Sequence, residues 1–158
     1  MCGFVGFTNL FKDFSTEDNI AIKEMTKSLA HRGPDEENFF TSTHTNLGHR
    51  RLIILDAKNG KQPMSCTYNN TTYTIVYNGQ LYNANDIRKD LIDLGYEFNG
   101  YCDTEVILKA FVEYGTTIFN KFNGIFSFAI WNDSKKELTL VRDHFGIKPL
   151  YYSIIDNT

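Results

Sequence analysis

The sequence lacks three features that would each place it in a special class of protein. Its longest apolar runs fall well short of the ~18 residues that suggest a membrane span. The N-terminus has no basic stretch followed by an apolar one, so no signal peptide is recognised. The net charge of −3 supplies no basic surface for nucleic acid. We therefore expect a cytoplasmic globular domain with neither a membrane nor a nucleic acid as its partner.

Cysteine is also scarce in the chain. There are three cysteines, Cys2, Cys66 and Cys102. An odd number without a close pair argues against a disulfide framework and against a zinc site. The four histidines are scattered, with no spacing typical of metal ligands, so we expect no metal. At least one thiol is therefore free.

The 158 residues are enough for one domain with its own core. Apolar periodicity and capping residues predict helices, at residues 17–30, 86–94 and 104–114. Apolar and alternating runs predict strands, at residues 3–7, 38–43, 45–55, 71–77, 125–131, 137–142 and 150–154. These elements do not alternate regularly, as they would in a parallel sheet. The pattern predicts an α+β fold with helices packed on antiparallel sheets.

Cys2 is the first candidate for a reactive residue. Removal of Met1 would leave a thiol and a free α-amine on the same residue. The reference pKa of a cysteine thiol is about 8.5 and that of an α-amine about 7.7 to 8.0, so such an amine can accept the thiol proton near neutral pH. This is the logic of an N-terminal nucleophile. Position alone favours an incidental cysteine at the chain terminus. The interpretation of Cys2 as a nucleophile therefore depends on the other candidate site residues.

Other residues could complete a site for an amide substrate. Asn78 and Gly79 follow a predicted strand, and they form either a tight turn or an oxyanion hole. Arg51 interrupts an apolar strand, as a salt-bridge partner or as a fork for a substrate α-carboxylate. Asp103 opens a predicted helix, as a carboxylate favoured by the helix dipole or as a partner of a substrate α-ammonium. Alone, each motif is weak.

Together and in order, these motifs closely resemble the glutamine amidotransferase domain of glutamine-dependent asparagine synthetases. The resemblance covers residues 1–158 as one domain. Its landmarks are Met1-Cys2-Gly3, His31-Arg32-Gly33-Pro34-Asp35, Arg51-Leu52, Asn78-Gly79-Gln80-Leu81-Tyr82-Asn83, Asp103-Thr104-Glu105-Val106-Ile107-Leu108 and Arg142-Asp143-His144-Phe145-Gly146-Ile147-Lys148-Pro149-Leu150-Tyr151.

The resemblance implies a four-layer αββα N-terminal-nucleophile fold, in which two stacked antiparallel sheets lie between helical layers. It implies that Cys2 attacks the side-chain amide of glutamine, which gives a γ-glutamyl thioester and ammonia, and that water then releases glutamate. No cofactor is implied for this domain. ATP and Mg are expected only in a C-terminal synthetase domain, which would use the ammonia to convert aspartate to asparagine.

The resemblance also implies a role for each site residue. Arg51 holds the α-carboxylate, Asp103 holds the α-ammonium, and Asn78 with Gly79 forms the oxyanion hole. The other implied members are Ile54 and Leu55, whose backbone lines the pocket, Arg32, which supports the surroundings of the nucleophile, and Gln80.

Two departures from the family pattern matter. The family usually has Glu where this chain has Gln80, so we expect a modestly weaker affinity for glutamine without loss of activity. The chain also contains no Ser-Gly-Gly-x-Asp-Ser pyrophosphate loop, so it cannot activate aspartate itself. We expect ammonia to pass to a synthetase domain after Thr158.

Two alternatives stay open at this point. The domain could serve another carboxylate acceptor, such as a sugar acid, because the acceptor binds outside it. It could also be a non-catalytic domain that keeps the fold, although Cys2, Asn78 and Arg51 are all present. The resemblance is compatible with a homodimer.

Overall fold

Two antiparallel sheets and three α-helices make up the computed structural model, which describes residues 1–156 and 158. The strands are β1 (Gly3–Thr8), β2 (Glu36–Thr41), β3 (Thr45–Arg51), β4 (Met64–Tyr68), β5 (Thr71–Leu81), β6 (Gly124–Asn132) and β7 (Glu137–Arg142). The helices are α1 (Thr16–Ser28), α2 (Ala84–Asp93) and α3 (Asp103–Tyr114), followed by a 3₁₀ helix over Gly115–Lys121. The predicted α+β class is confirmed.

Local signals explain where two of the helices begin and end. The hydroxyl of Ser15 accepts a hydrogen bond from the backbone N–H of Asp18, and the Asp18 carboxylate accepts one from the backbone N–H of Ser15. This reciprocal capping box fixes the start of α1. Helix α3 ends at Gly115, whose φ of 62° suits a residue without a side chain.

The smaller sheet has the order β1-β3-β2, and the larger sheet has the order β4-β5-β6-β7. In the smaller sheet, Gly3 pairs with Arg50, which places the residue before it at the end of β3. In the larger sheet, β5 and β6 pair from Tyr73–Asn132 to Leu81–Gly124. The nucleophile candidate thus lies at the end of one sheet.

Alternation along β3 directs its two faces to different layers. Leu47 and His49 face the larger sheet, where the His49 imidazole Nε2 lies 3.1 Å from the Tyr77 carbonyl. Gly48 faces α1 so closely that an added Cβ would lie 1.8 Å from the Thr26 hydroxyl. The period of two therefore gives each face its own layer to pack against.

Two hydrophobic cores separate the layers. The core between the sheets is formed by Leu47, Val76, Ala129 and Trp131. A larger core joins the second sheet to α2 and α3, and its aromatic members include Tyr77, Phe111, Phe122, Phe126 and Phe128. Helix α1 packs on the other face of the smaller sheet. The order of layers is α1, smaller sheet, larger sheet and α2 with α3, which confirms the four-layer αββα arrangement.

Several predicted boundaries were wrong. The strand predicted at residues 150–154 is not formed, and the side chains of Tyr151, Tyr152 and Ile154 are exposed. An apolar stretch becomes a strand only when it finds a neighbour to pair with. The strand predicted at residues 45–55 ends at Arg51, because the chain then turns into a loop. Strand β4 was not predicted.

Candidate active site

Cys2 directly precedes β1 and is half-buried. Its Sγ lies 3.7 Å from the carbonyl oxygen of Leu52. It borders a small cavity, here called the nucleophile cavity, and a wide groove, here called the apolar groove. The apolar groove is lined mainly by β1, β7 and residues 149–155. The thiol is therefore held by a strand and remains open to a ligand.

Most of the predicted site residues converge on one place. The members that line the nucleophile cavity are Cys2, Arg51, Ile54, Leu55, Gly79, Gln80 and Asp103. Asn78 and Arg32 instead line the apolar groove, which also reaches Cys2. Residues from four other segments of the chain thus line the two spaces that Cys2 borders.

The loop after β3 forms one wall of the nucleophile cavity, and Asp35 fastens it. The Asp35 carboxylate accepts a hydrogen bond of 2.7 Å from the backbone N–H of Ile53. The Arg50 Nε donates to the Gly33 carbonyl at 3.0 Å. An added Cβ at Gly33 would lie 2.3 Å from the Arg50 carbonyl group, so this turn requires glycine. The segment from residue 33 to residue 35 therefore positions the cavity wall.

Arg51 is 4% exposed and already has partners within the chain. Its Nη1 donates to the Glu36 carboxylate at 2.9 Å, and its Nη2 donates to the carbonyls of Leu55 at 2.9 Å and Asp56 at 2.7 Å. The guanidinium thus ties the loop after β3 to the smaller sheet. A substrate carboxylate would have to exchange with one of these partners, so its role as a carboxylate fork stays a prediction.

Strand β5 directs the backbone N–H of Gly79 toward the nucleophile cavity. The N–H groups of Tyr77 and Leu81 point away from β6, since they donate to the side chains of Gln62 and Asp103. Backbone N–H groups two residues apart in a strand point the same way, so that of Gly79 does too. Strand β4 has ended before this point, because Met64 pairs with Ile75. The Gly79 N–H is therefore available to a ligand.

The Asn78 side chain is a second candidate donor, and it lines the apolar groove that also reaches Cys2. It is 6% exposed, and among the described residues its amide makes no hydrogen bond within the chain. Gly79 itself cannot carry a side chain, since an added Cβ would lie 2.3 Å from the Ile125 carbonyl oxygen. An amide N–H and a backbone N–H on one strand are the donors of which oxyanion holes are made.

Asp103 is a buried carboxylate that also lines the nucleophile cavity. Its Oδ2 accepts hydrogen bonds from the Tyr77 hydroxyl at 2.7 Å and from the Leu81 backbone N–H at 2.9 Å. Burial raises the pKa of Asp103 above its usual value, although these donors oppose the shift. Burial and the neighbouring Asp103 also raise the pKa of the Tyr77 hydroxyl, which stays a donor. The carboxylate can accept a substrate ammonium.

Asp56 joins the two loops that close the nucleophile cavity. Its carboxylate accepts hydrogen bonds from the backbone N–H groups of Asn59 at 2.9 Å and Tyr101 at 2.7 Å. Burial acts to raise the pKa of Asp56, but these backbone donors outweigh it and hold the pKa below its usual value. The loop after β3 and the loop before α3 are therefore connected by one ionised side chain.

Sequence reasoning missed part of the cavity lining. The additional members are Leu52, Gly60, Gln62, Tyr77, Cys102 and Thr104. The position of Tyr77 next to the Asn-Gly motif could have suggested it. No sequence motif indicated Gln62. Its side-chain carbonyl accepts the backbone N–H of Tyr77, which a neighbouring strand would otherwise bind.

The other two cysteines are poor nucleophiles. Burial raises the pKa of the Cys66 thiol to about 11, and burial also raises the pKa of the Cys102 thiol. Thiols with raised pKa values stay protonated at neutral pH and react slowly.

No cluster of side chains suited to a metal ion occurs among residues 1–156 and 158. None of the helices in this part of the chain is long and apolar enough to cross a membrane.

The family described as "Glutamine amidotransferase domain" matches residues 1–158. The chain belongs to this family. This glutamine amidotransferase domain is similar to asparagine synthetase (glutamine-hydrolyzing) 1 of Bacillus subtilis, with 44% identity over 158 residues that cover 99% of the chain and 25% of that protein. It is 41% identical over 153 residues to asparagine synthetase (glutamine-hydrolyzing) 3 of the same organism, covering 97% of the chain and 25% of that protein.

A more distant relative is asparagine synthetase B (glutamine-hydrolyzing) of Escherichia coli, which is 34% identical over 152 residues, or 96% of the chain and 26% of that protein. The chain thus spans about a quarter of the length of these curated relatives.

Solved structures support the fold of this glutamine amidotransferase domain. Glutamine phosphoribosylpyrophosphate amidotransferase of B. subtilis superposes with a TM-score of 0.56 and 22% identity, over 67% of the chain and 24% of that chain. The structure described as the allosteric regulatory enzyme of purine biosynthesis gives a TM-score of 0.53 and 22% identity, over 65% of the chain and 24% of that chain. At this level of identity the likeness concerns the fold alone.

Proposed function

We propose that this glutamine amidotransferase domain hydrolyses glutamine to glutamate and ammonia, with Cys2 as the nucleophile. The observation that carries the proposal is that Arg51, Gly79 and the buried Asp103 line one small cavity together with Cys2. The names of the curated relatives, which are described as glutamine-hydrolyzing, support the choice of substrate.

The first half of the reaction acylates Cys2. After Met1 is removed, the α-amine of Cys2 takes the thiol proton, and Sγ forms a bond to the side-chain carbonyl carbon of glutamine. The negative charge that develops on the oxygen is stabilised by the Asn78 amide and the Gly79 N–H. The α-ammonium then gives its proton to the leaving nitrogen, the C–N bond breaks, and ammonia departs.

The second half of the reaction releases glutamate. The free α-amine of Cys2 takes a proton from water, and the oxygen of that water bonds to the thioester carbon. The same oxyanion donors stabilise the second tetrahedral intermediate. The C–S bond then breaks and the thiol regains its proton, so the enzyme returns to its starting state without a cofactor.

Charge recognition orients the substrate for this attack. The Asp103 carboxylate pairs with the α-ammonium, and Gln80 contributes a carbonyl acceptor to the same wall. Arg51 binds the α-carboxylate after exchange with Glu36 or with a loop carbonyl. The backbone of Ile54 and Leu55 closes the site around the aliphatic part of glutamine.

The ammonia is used by an ATP- and Mg-dependent synthetase domain that converts aspartate to asparagine. Two observations support this assignment. The relatives are named asparagine synthetases, and the chain spans only about a quarter of their length. Residues 1–158 then act as one domain of a cytoplasmic biosynthetic enzyme, beside its synthetase partner.

The glutaminase step is tested on protein whose intact mass shows the loss of Met1. Glutamate release from glutamine is expected in this protein and in a Cys66→Ala control, but not in Cys2→Ala. Added hydroxylamine should trap the thioester as γ-glutamyl hydroxamate. Persistent glutamate release in Cys2→Ala would overturn the mechanism.

The acceptor is tested with a chimera. This chain replaces the matching quarter of B. subtilis asparagine synthetase (glutamine-hydrolyzing) 1, and asparagine formation from glutamine, aspartate and ATP is measured. We expect glutamine-dependent synthesis that is lost in Cys2→Ala, while ammonia-dependent synthesis remains. A chimera that hydrolyses glutamine but forms asparagine only from added ammonia would contradict the transfer.

A further inference from the structure

Lys148 is a buried lysine whose ammonium lies against the residue that processing removes. It is 7% exposed and follows β7 in a loop. Its Nζ contacts the Sδ of Met1, and among the described residues it forms no ion pair with a carboxylate. A thioether is a weak acceptor, and a buried ammonium normally has a strong one. The usual reason for burying a lysine is therefore missing here.

The backbone at Lys148 is fixed on both sides. Its N–H donates to the Asp143 carboxylate at 2.9 Å, and its carbonyl accepts from the Arg142 Nε at 2.8 Å. The Asp143 carboxylate also accepts the N–H of Ile147 at 2.9 Å, which holds the preceding residue. These contacts fix the backbone from which the lysine side chain extends to its contact with Met1.

The contact with Met1 limits how far the ammonium lies from the nucleophile. The sulfur of Met1 is at most about 6 Å from the backbone nitrogen of Cys2, because only five covalent bonds separate the two atoms. The Lys148 ammonium therefore lies within about 10 Å of that nitrogen. When Met1 leaves, the ammonium loses this contact, and the new α-amine forms on a nitrogen that lies within about 10 Å of it.

The other charges around Cys2 come from several elements. On the side of the nucleophile cavity, Arg51 is paired with Glu36, and the Asp103 carboxylate accepts two hydrogen bonds. On the side of the apolar groove, the titratable or charged residues are His31, Arg32, Lys136, Tyr151 and Tyr152.

Near Lys148 itself, the Asp143 carboxylate is occupied by backbone N–H groups, and the Arg142 guanidinium is occupied by carbonyls. The Lys148 charge is thus not cancelled by a direct carboxylate contact in the described part of the chain.

We propose that Lys148 is a positioning residue for the glutaminase reaction, and that its ammonium keeps the Cys2 α-amine in the neutral form that serves as the base. This inference rests on the proposed function. A positive charge nearby disfavours protonation of an amine. At about 10 Å, the interaction corresponds to a shift of roughly 0.3 to 1.2 pH units between aqueous and protein-like dielectric conditions.

The test compares Lys148→Met with the processed wild type over pH 5.5 to 9. We expect the acidic limb of the kcat/KM profile to move to higher pH by about 0.3 to 1.2 units in the variant. Activity at pH 6 should then fall by about 2- to 15-fold, while activity at pH 8.5 and the KM for glutamine stay close to wild type. Lys148→Arg should keep the acidic limb at its wild-type pH, because the positive charge is retained. Lys89→Met, at an exposed position of α2, should also leave the limb unchanged.

Two results would overturn the proposal. One is an acidic limb that does not move in Lys148→Met. The other is an equal loss at every pH in both Lys148→Met and Lys148→Arg, which would indicate a structural role. The protonation of the Cys2 α-amine is also followed by NMR in protein with labelled cysteine, without glutamine. The midpoint of this titration should rise in Lys148→Met even if the wild type hydrolyses no glutamine. The NMR result therefore distinguishes failure of this inference from failure of the glutaminase proposal.

Discussion

Burial of Asp103 determines the pH at which its carboxyl group is charged. Burial raises the pKa of its carboxyl group, so the group gains its charge at higher pH than an exposed aspartate does. Below that pH it is neutral and cannot pair with a substrate ammonium. Its folded-state pKa is raised, so the stability it contributes is present at low pH and is lost as the pH rises through that value.

We therefore predict that Asp103→Asn raises the KM for glutamine by about 10- to 100-fold, the value of a charge-assisted hydrogen bond. The KM of the wild type should also rise as the pH falls through the pKa of Asp103, and this rise should be absent in the variant. Steady-state kinetics at several pH values measure both effects. Unfolding in urea at neutral pH serves as the control, because loss of this buried charge should not destabilise the fold.

Gln80 carries an uncharged acceptor and lines the nucleophile cavity. Gln80→Glu should lower the KM for glutamine about fivefold, because a charged acceptor strengthens a hydrogen bond to an ammonium by about 1 kcal/mol. Glutaminase kinetics test this, with Asn85→Asp on the exposed side of α2 as a control for added charge. An unchanged KM would show that this position does not contact the substrate ammonium.

At the scale of elements, β5 lies close against β6 at Gly79. An added Cβ there would lie 2.3 Å from a backbone oxygen of Ile125, and backbone atoms in a ladder cannot easily move. Gly79→Ala should cost about 1 to 3 kcal/mol of unfolding free energy in urea and should also abolish glutaminase activity.

Gly95 provides the matched control for Gly79. It has a φ of 92° and no atom within 4 Å of an added Cβ. Gly95→Ala should therefore cost about 1 kcal/mol through backbone strain alone and leave the rate unchanged. Equal activity in the two variants would contradict the role of the β5 backbone.

His49 lies between the two sheets, and its protonation makes the stability of the fold depend on pH. Burial lowers the pKa of His49 to about 4, although the Tyr77 carbonyl partly opposes this. The unfolded chain binds the proton first as the pH falls, near the ordinary pKa of about 6.5. Stability from neutral His49 is therefore present above pH 6.5 and is lost as the pH falls toward 4.

Urea unfolding at pH 7.5 and pH 5 measures this effect. Between pH 7.5 and pH 5, the free energy of unfolding should fall by about 2 kcal/mol more in the wild type than in His49→Gln. His144→Gln, at an exposed position, should behave like the wild type. A loss of equal size in His49→Gln would show that other groups cause the acid sensitivity.

Sequence patterns predicted the helices and most strands because their signals are local. The capping pair at Ser15 and Asp18 and the glycine after α3 act within a few residues. The strand predicted at residues 150–154 failed because pairing depends on distant parts of the chain. The loop after β3 escaped prediction for the same reason, since Arg51 folds it back through its side chain.

At the scale of the whole molecule, the site depends on where the chain begins in the mature protein. In the proposed mechanism the base is the α-amine of Cys2, so any residue kept before Cys2 turns that nitrogen into an amide and removes its basicity. A protein with a cleavable N-terminal tag should show no glutaminase activity before cleavage to Cys2 and full activity after it. Its melting temperature should be the same in both forms. Activity in the tagged form would exclude the α-amine as the base.

The sequence motifs predicted part of the cavity lining but not how its residues are arranged. The motif order identified Cys2, Arg51 and Asp103, and all three line one cavity. The existing partners of Arg51 and the part played by Gln62 could not be read from the sequence, because both depend on how a loop crosses the end of a sheet.

The connection through Asp56 has a consequence for protein engineering. The loop after β3 and the loop before α3 hold the same carboxylate, through Asn59 and Tyr101. An insertion in either loop will therefore displace the other, and the two cannot be redesigned one at a time. A library that aims to admit a larger amide should vary both loops together and keep aspartate at position 56, since a longer glutamate would push them apart.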